Sequence, residues 1–154
     1  MIIKRLYSSQ EVVEGLHLVW DVFIRENASS CTQQGIEEFA RFIKMENFMP
    51  LVESGEMIVF GAVEGQDLGG VGAVRRDGHI SLLFVRPDLR RKGIAKALVG
   101  EMCRYCTMQF ALMRMTVHAS VVSTEAYHHM GFRDLAPVQE KNGIRFVPMD
   151  SMIS

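Results

Sequence analysis

The apolar run Ile80-Ser81-Leu82-Leu83-Phe84-Val85 passes through Arg86-Pro87-Asp88-Leu89 into the basic turn Arg90-Arg91-Lys92-Gly93, where a long helical pattern begins. A strand feeding a helix through such a turn, with glycine in the bend and the small residue Ala95 two places on, leaves backbone N–H groups free. Helix N-termini present unpaired donors and a favourable dipole end, and cationic side chains surround this one, so the turn suits a phosphate-bearing ligand. Two common phosphate loops are missing. There is no Gly-x-x-x-x-Gly-Lys-Ser/Thr sequence and no Gly-x-Gly-x-x-Gly after a strand, which argues against ATP and nicotinamide cofactors. Taken alone, the turn also reads as a solvated charged loop capping a surface helix.

The flanking sequence sets the layers. Residues 1 to 7 read as a strand, and Ser8 with Glu11 forms a capping box for a helix to about residue 27. Val12, Val13, Leu16, Val19, Trp20 and Phe23 recur there at helical spacing. A second helix is expected over residues 33 to 47, with Pro50 beyond its end. Strand signals follow at Met57 to Val63, Gly70 to Arg75 and His79 to Val85, the last two joined by the tight Asp77-Gly78 turn. After Gly93, a helix carries Ile94, Ala95, Leu98, Val99, Met102, Cys106 and Phe110 on one face. A strand from Met113 to Val117, a short helix from Ser123 to Met130 and a hairpin of residues 132–139 and 144–149 complete the chain. The expected fold class is α/β, one domain over residues 1–154, with about four helices and a mostly antiparallel seven-strand sheet.

Composition narrows the ligand. Apolar residues make up 48% of the 154, enough for one sizeable core, and the formal net charge is −1. The chain therefore gives no bulk electrostatic reason to bind nucleic acid, and a basic cluster confined to Arg75, Arg76, Arg86, Arg90, Arg91, Lys92 and Lys96 suits a small polyanion. No apolar run reaches membrane-spanning length and the N-terminus lacks a signal-peptide layout, so no membrane partner is expected and the cytoplasm is the expected compartment. Cys31, Cys103 and Cys106 form no disulfide framework, and the Cys-x-x-Cys pair lacks a second ligand pair, so no metal is expected.

Val85-Arg86-Pro87-Asp88-Leu89-Arg90-Arg91-Lys92-Gly93-Ile94-Ala95-Lys96-Ala97-Leu98 resembles the acyl-CoA-binding motif of the Gcn5-related N-acetyltransferase superfamily. Ala126-Tyr127-His128-His129-Met130-Gly131-Phe132 resembles that family's tyrosine helix and the strand after it, and the element order over residues 1 to 149 looks like the whole family fold. The resemblance implies that the turn Arg91 to Lys96, with Arg90, Lys92, Gly93, Ile94 and Ala95, holds the coenzyme pyrophosphate. It further implies that the main chain of Leu83 and Val85 pairs with pantetheine, in a gap opened by a bulge. The amide of Phe84 or its neighbour would polarise the thioester carbonyl.

On the same resemblance Tyr127 is the acid that donates to the coenzyme sulfur. Many relatives place a glutamate at the start of the strand leading to the turn, and ungapped alignment puts His79 there as the base. Ser81 and His118 would order water or bind the acceptor. Relatives build the acceptor pocket from the first two helices and the loop between them, here residues 26–32, a small polar loop expected to move on binding. Glu26, Glu37 or Glu38 would attract a cationic amine. The implied activity is acetyl transfer from acetyl-CoA to a small-molecule amine by direct attack. The alternatives are a longer acyl donor or an inactive coenzyme-binding sensor. Relatives are often dimers, and the strand Ile144 to Met149 is the candidate edge for a homodimer.

Overall fold

A computed structural model describes residues 1–153. Strand β1 (Ile2–Arg5) leads to helix α1 (Ser9–Glu26), whose N-cap Ser8 and N3 residue Glu11 form the reciprocal capping box. Lys4 lies 3.0 Å from the same carboxylate, and this contact first, then backbone donors, pulls Glu11 down to about 2. The chain passes a short 3-10 turn at Ala28–Ser30 into α2 (Gln33–Phe42).

The expected helix over residues 33–47 is in fact two helices. The chain breaks at Ile43–Lys44 and restarts as α3 (Met45–Glu53), with Pro50 inside it. Proline in a helix interior forfeits one bond, here to the carbonyl of Glu46, a residue open to solvent. Packing outweighs the loss: Phe48 is fully buried and meets Phe42 edge-on at 5.7 Å.

Strands β2 (Met57–Glu64), β3 (Asp67–Arg75) and β4 (His79–Val85) form an antiparallel meander, with β1 alongside β2. Helix α4 (Ile94–Phe110) then crosses to β5 (Arg114–Ser120), which runs parallel to β4. After α5 (Thr124–His129) come β6 (Arg133–Asp134), β7 (Gln139–Lys141) and β8 (Ile144–Met152). The sheet order is β1-β2-β3-β4-β5-β8-β6, with β7 also on β8, giving eight strands where seven were expected. The extra strand arises because the run from Phe132 to Gln139 breaks after Asp134. Pro137 there has no N–H for a ladder. The β7–β8 hairpin turns on Asn142 and Gly143, both at positive φ, as a two-residue turn requires. Strand β8 is covered on both sides, by β5 and by β6 with β7, so it offers no free edge for the homodimer pairing expected of it.

Two cores sandwich the sheet. One lies under α4 and α5 and contains Ile80, Val85, Leu98, Met102, Val117, Tyr127 and Met149. The other lies under α1 to α3 and contains Val19, Phe48, Val71, Ala73 and Leu82. Glycines in β3 seat α4 closely. A Cβ on Gly70 would stand 3.1 Å from Ile94 and one on Gly72 3.0 Å from Met102, so helix side chains occupy that space. No helix among the described residues is long and apolar enough to cross a membrane.

Asp150 of β8 is 2% exposed and accepts from Arg133 Nε at 2.9 Å and Arg114 Nε at 2.7 Å, joining three strands. The Arg133 bond first, then that from Arg114, holds its carboxyl below the usual range. A depressed folded-state pKa contributes stability that is present above the unfolded value and lost as pH falls through the folded one. The expected result is that Asp150→Asn lowers the urea midpoint at neutral pH and flattens the loss of stability below about pH 4. Urea titrations across that range check it.

Candidate functional site

Arg91 (φ 63°) and Gly93 (φ 79°) both take left-handed backbone, so the chain doubles back before α4 starts. The first helical bond there runs from Ala97 N–H to the Gly93 carbonyl at 3.0 Å. Among the described residues no backbone carbonyl outside the helix and no capping side chain accepts from the N–H groups of residues 91–96. A Cβ built on Gly93 would meet nothing within 4 Å, so the space in front of this backbone is open. Arg91, Lys92 and Lys96 are exposed around it. Ile94 is 6% exposed and anchors the turn in the core, leaving only its amide for a ligand.

Arg90 does something else. Its guanidinium pairs with Glu26 at the C-terminus of α1, with Nη1 donating to Oε2 at 2.8 Å. That ties the turn to the start of the 26–32 loop, and it withdraws Glu26 from the role of attracting an amine. At its far end the loop is pinned as well: Thr32 N–H and Oγ1 both bond the Gly143 carbonyl, at 3.1 and 3.3 Å. A loop expected to move is held at both ends.

The second half of the site is a split in the sheet. Strands β4 and β5 pair only at His79 with Thr116 and Ile80 with Val117. Beyond Ile80, β4 stays with β3 while its other edge is left unpaired. The cause lies in the β3–β4 register, where Val74 faces Ile80 but Ala73 faces Leu82. Ser81 is the extra residue, and a bulge of this kind bends its strand and ends regular pairing. Arg86 N–H bonds the Gly69 carbonyl at 2.9 Å. Since antiparallel ladders alternate, Phe84 and Leu82 also turn their amides to β3, and Leu83 and Val85 turn theirs into the gap. The sequence alone left the carbonyl donor at Phe84 or its neighbour; the alternation leaves only the neighbours free.

Tyr127 and His79 lie on opposite faces of the sheet. Tyr127 belongs to the core under α4, is 5% exposed and packs edge-on against Phe132 at 5.3 Å. Burial raises its phenol well above the ordinary value, so the hydroxyl keeps its proton. His79 alternates with Ile80 and therefore sits on the other face, half-buried. Its Nδ1 lies 2.8 Å from Thr116 Oγ1, and its ring meets His118 at 4.7 Å in a T-shape. His118 in turn stacks on Phe146 at 4.3 Å. Desolvation, then the His118 charge, lowers the His79 pKa; desolvation, then Lys141, lowers that of His118. Both imidazoles are therefore neutral near pH 7 and can accept a proton. Sequence reasoning missed Thr116 and Phe146; the alternation of β5 and β8 placed both on the imidazole face, but only the strand register shows which histidines they meet.

Other groups drop out. Burial pushes the Cys106 thiol up to about 11 and raises that of Cys103, which makes both poor nucleophiles. Among the described residues no three His, Cys, Asp or Glu side chains are placed to hold a metal. His128 pairs with Asp134 at 2.6 Å. A surface concavity of about 630 Å³ lies between α1 and Arg86–Asp88 and includes none of residues 90–96.

Sequence and fold both resemble known acetyltransferases. The sequence profile described as "Acetyltransferase (GNAT) domain" matches residues 27–152. A Gcn5-related N-acetyltransferase from Rhodopseudomonas palustris superposes with a TM-score of 0.83 at 14% identity, over 99% of this chain and 95% of that one. The PaiA N-acetyltransferase of Thermoplasma acidophilum, solved with coenzyme A, gives 0.77 at 16% identity over 99% of both chains. An aminoglycoside 6'-N-acetyltransferase complexed with coenzyme A gives 0.68 at 15% identity, over 100% of this chain and 98% of that one. No curated protein matches the sequence.

Proposed function

Because the chain belongs to the GNAT acetyltransferase-domain family, we propose that it transfers the acetyl group of acetyl-CoA to a primary amine of a small molecule. The observation that carries this reading is the set of unclaimed N–H groups from Arg91 to Lys96, at the end of a strand whose inner edge is also unpaired. Linked phosphates fit the first and an amide-bearing arm fits the second. Arg91, Lys92 and Lys96 add positive potential, and the main chain of Leu83 and Val85 receives the arm. Coenzyme A supplies an activated thioester; the protein's part is to hold it and to manage protons.

His79 removes a proton from the ammonium form of the acceptor, directly or through water ordered by Ser81 and His118. The freed amine forms a C–N bond at the thioester carbonyl, whose oxygen is met by a backbone N–H of Leu83 or Val85. The C–S bond breaks, and Tyr127 donates to the departing sulfur. Two protons leave the nitrogen: the first goes to His79 and on to solvent, and the second, shed by the tetrahedral adduct, replaces through water the proton that Tyr127 gives to the sulfur. No covalent enzyme intermediate is required, in keeping with the suppressed thiols. A longer acyl donor is the second reading, and comparing acetyl-CoA with longer acyl-CoA esters separates the two.

The histidine role has a defined pH signature. With its pKa lowered, His79 is deprotonated at pH 7 and gains a proton only below its ordinary 6.5, so kcat/KM should fall on the acid side of that value. His79→Ala should lose about 100-fold in kcat/KM together with that acid limb. A pH–rate profile of both proteins checks it; an unchanged limb in the variant removes His79 from the role.

A further inference from the structure

The acceptor's chemistry can be read from the face of the sheet that carries His79. Three acidic residues of α1 and α2 stood as possible anchors for a cationic substrate, and the fold commits them elsewhere. Glu26 pairs with Arg90, Glu38 is held by Arg41 at 2.7 Å, and Glu37 accepts from Gln33 on the exposed side of α2. The charged neighbours acting on the two imidazoles are Arg75 and Lys141, with Asp77 the one carboxylate. Asp77 itself accepts the backbone N–H of His79 at 3.0 Å. A site for a polyamine needs spare carboxylates here.

Aromatic surface fills that face instead. Trp20 stacks on Phe23 at 5.7 Å, Phe23 on Phe39 at 4.2 Å, and Phe39 reaches Phe84 of β4 at 5.9 Å. Trp20, Phe39 and Phe84 each keep part of their surface open. The second aromatic pair, His118 on Phe146, borders the gap from β5 and β8. Flat apolar surface on the same sheet face as a neutral imidazole favours a substrate whose amine is carried next to an aromatic ring.

Resting on the acetyl-transfer reading above, we propose that the acceptor is a weakly basic α-amine adjacent to an aromatic side chain, and that polycations are rejected. The base sets the same limit. An α-amino group titrates near 7.7–8.0 and a lysine-type amine near 10.4, so at neutral pH the first offers roughly 300-fold more free amine. Handing a proton to a histidine costs it about one and a half pK units, against about four for the alkylamine. A depressed histidine pKa raises both costs equally and leaves the difference between the two amines unchanged.

The test measures coenzyme A release near pH 7 with four amines: phenylalaninamide, alaninamide, 2-phenylethylamine and spermidine. Phenylalaninamide is expected to have the highest kcat/KM. Alaninamide should fall about 10-fold or more below it by losing the aromatic contact. 2-Phenylethylamine should fall about 100-fold and regain ground as the pH is raised towards 9. Spermidine should stay at background. Phe39→Leu, which keeps bulk in the helix, should raise KM for phenylalaninamide by a clearly larger factor than for alaninamide, and equal factors overturn the aromatic contact. Spermidine turned over as well as phenylalaninamide overturns the acceptor class and leaves acetyl transfer standing. Acetyl-CoA binding in a titration with turnover of none of the four overturns both.

Discussion

Replacing Tyr127 with phenylalanine is expected to slow turnover by about 100-fold while coenzyme A affinity changes by no more than about twofold. The substitution removes one oxygen and nothing else. The ring keeps its edge-on packing against Phe132 and its place in the core under α4, so the fold is retained. What is lost, on the proposed mechanism, is a proton donor at the place where charge develops on sulfur. Burial raises the phenol above its ordinary value, and a free phenolate in that core is correspondingly unfavourable. On that mechanism its proton has to be replaced as it leaves, so Tyr127 is expected to act while the C–S bond breaks and to contribute little to ground-state binding. That is the pattern of a group felt in kcat and hardly in affinity. Steady-state kinetics with a coenzyme titration on both proteins checks it, and equal turnover assigns the donor role elsewhere. The wild-type rate should also show no alkaline limb from this residue below about pH 10.

The parts of this molecule that were legible in the sequence are those written in short spacings. Ser8 and Glu11 name a helix start because both halves of a capping box lie within one turn. Asn142-Gly143 names a hairpin because few residues tolerate two positive φ angles in succession. The turn at Arg91 to Lys96 was legible for the same reason, as glycine, small residue and cations within one helical turn. Features that depend on partners distant in the chain were not. Whether Ser81 is an extra residue depends on how Ala73 and Val74 pair across from it, and hence so does the gap between β4 and β5. The Thr116 contact that orients His79 spans 37 residues and follows from a two-pair parallel register. Glu26 looked free because its partner Arg90 is 64 residues away. At Pro50 a local rule gave the wrong answer, because the burial of Phe48 outweighs one lost hydrogen bond to an exposed carbonyl.

Two helical glycines should respond to alanine with opposite signs. Gly100 lies in α4, and a Cβ there would meet nothing within 4 Å. Glycine in a helix interior is about 0.5–1 kcal/mol worse than alanine, so Gly100→Ala should stabilise by about that amount. Gly35 in α2 carries the same propensity argument and the opposite packing. Its Cβ would fall 2.3 Å from the Gly143 carbonyl oxygen and 2.7 Å from the carbonyl carbon. Those are backbone atoms, so no rotamer change relieves the overlap. Nor can Gly143 give way cheaply. It sits at φ 81° in the hairpin turn, and its carbonyl already accepts from Thr32 N–H and Oγ1. Overpacking against a fixed backbone outweighs the propensity gain, and Gly35→Ala should lose about 2–3 kcal/mol net. Urea unfolding of both variants, with unchanged slopes, reads the signs directly. A neutral or stabilising Gly35→Ala means that α2 and the β7–β8 turn do not approach as closely as described, and the pinning of that loop goes with it.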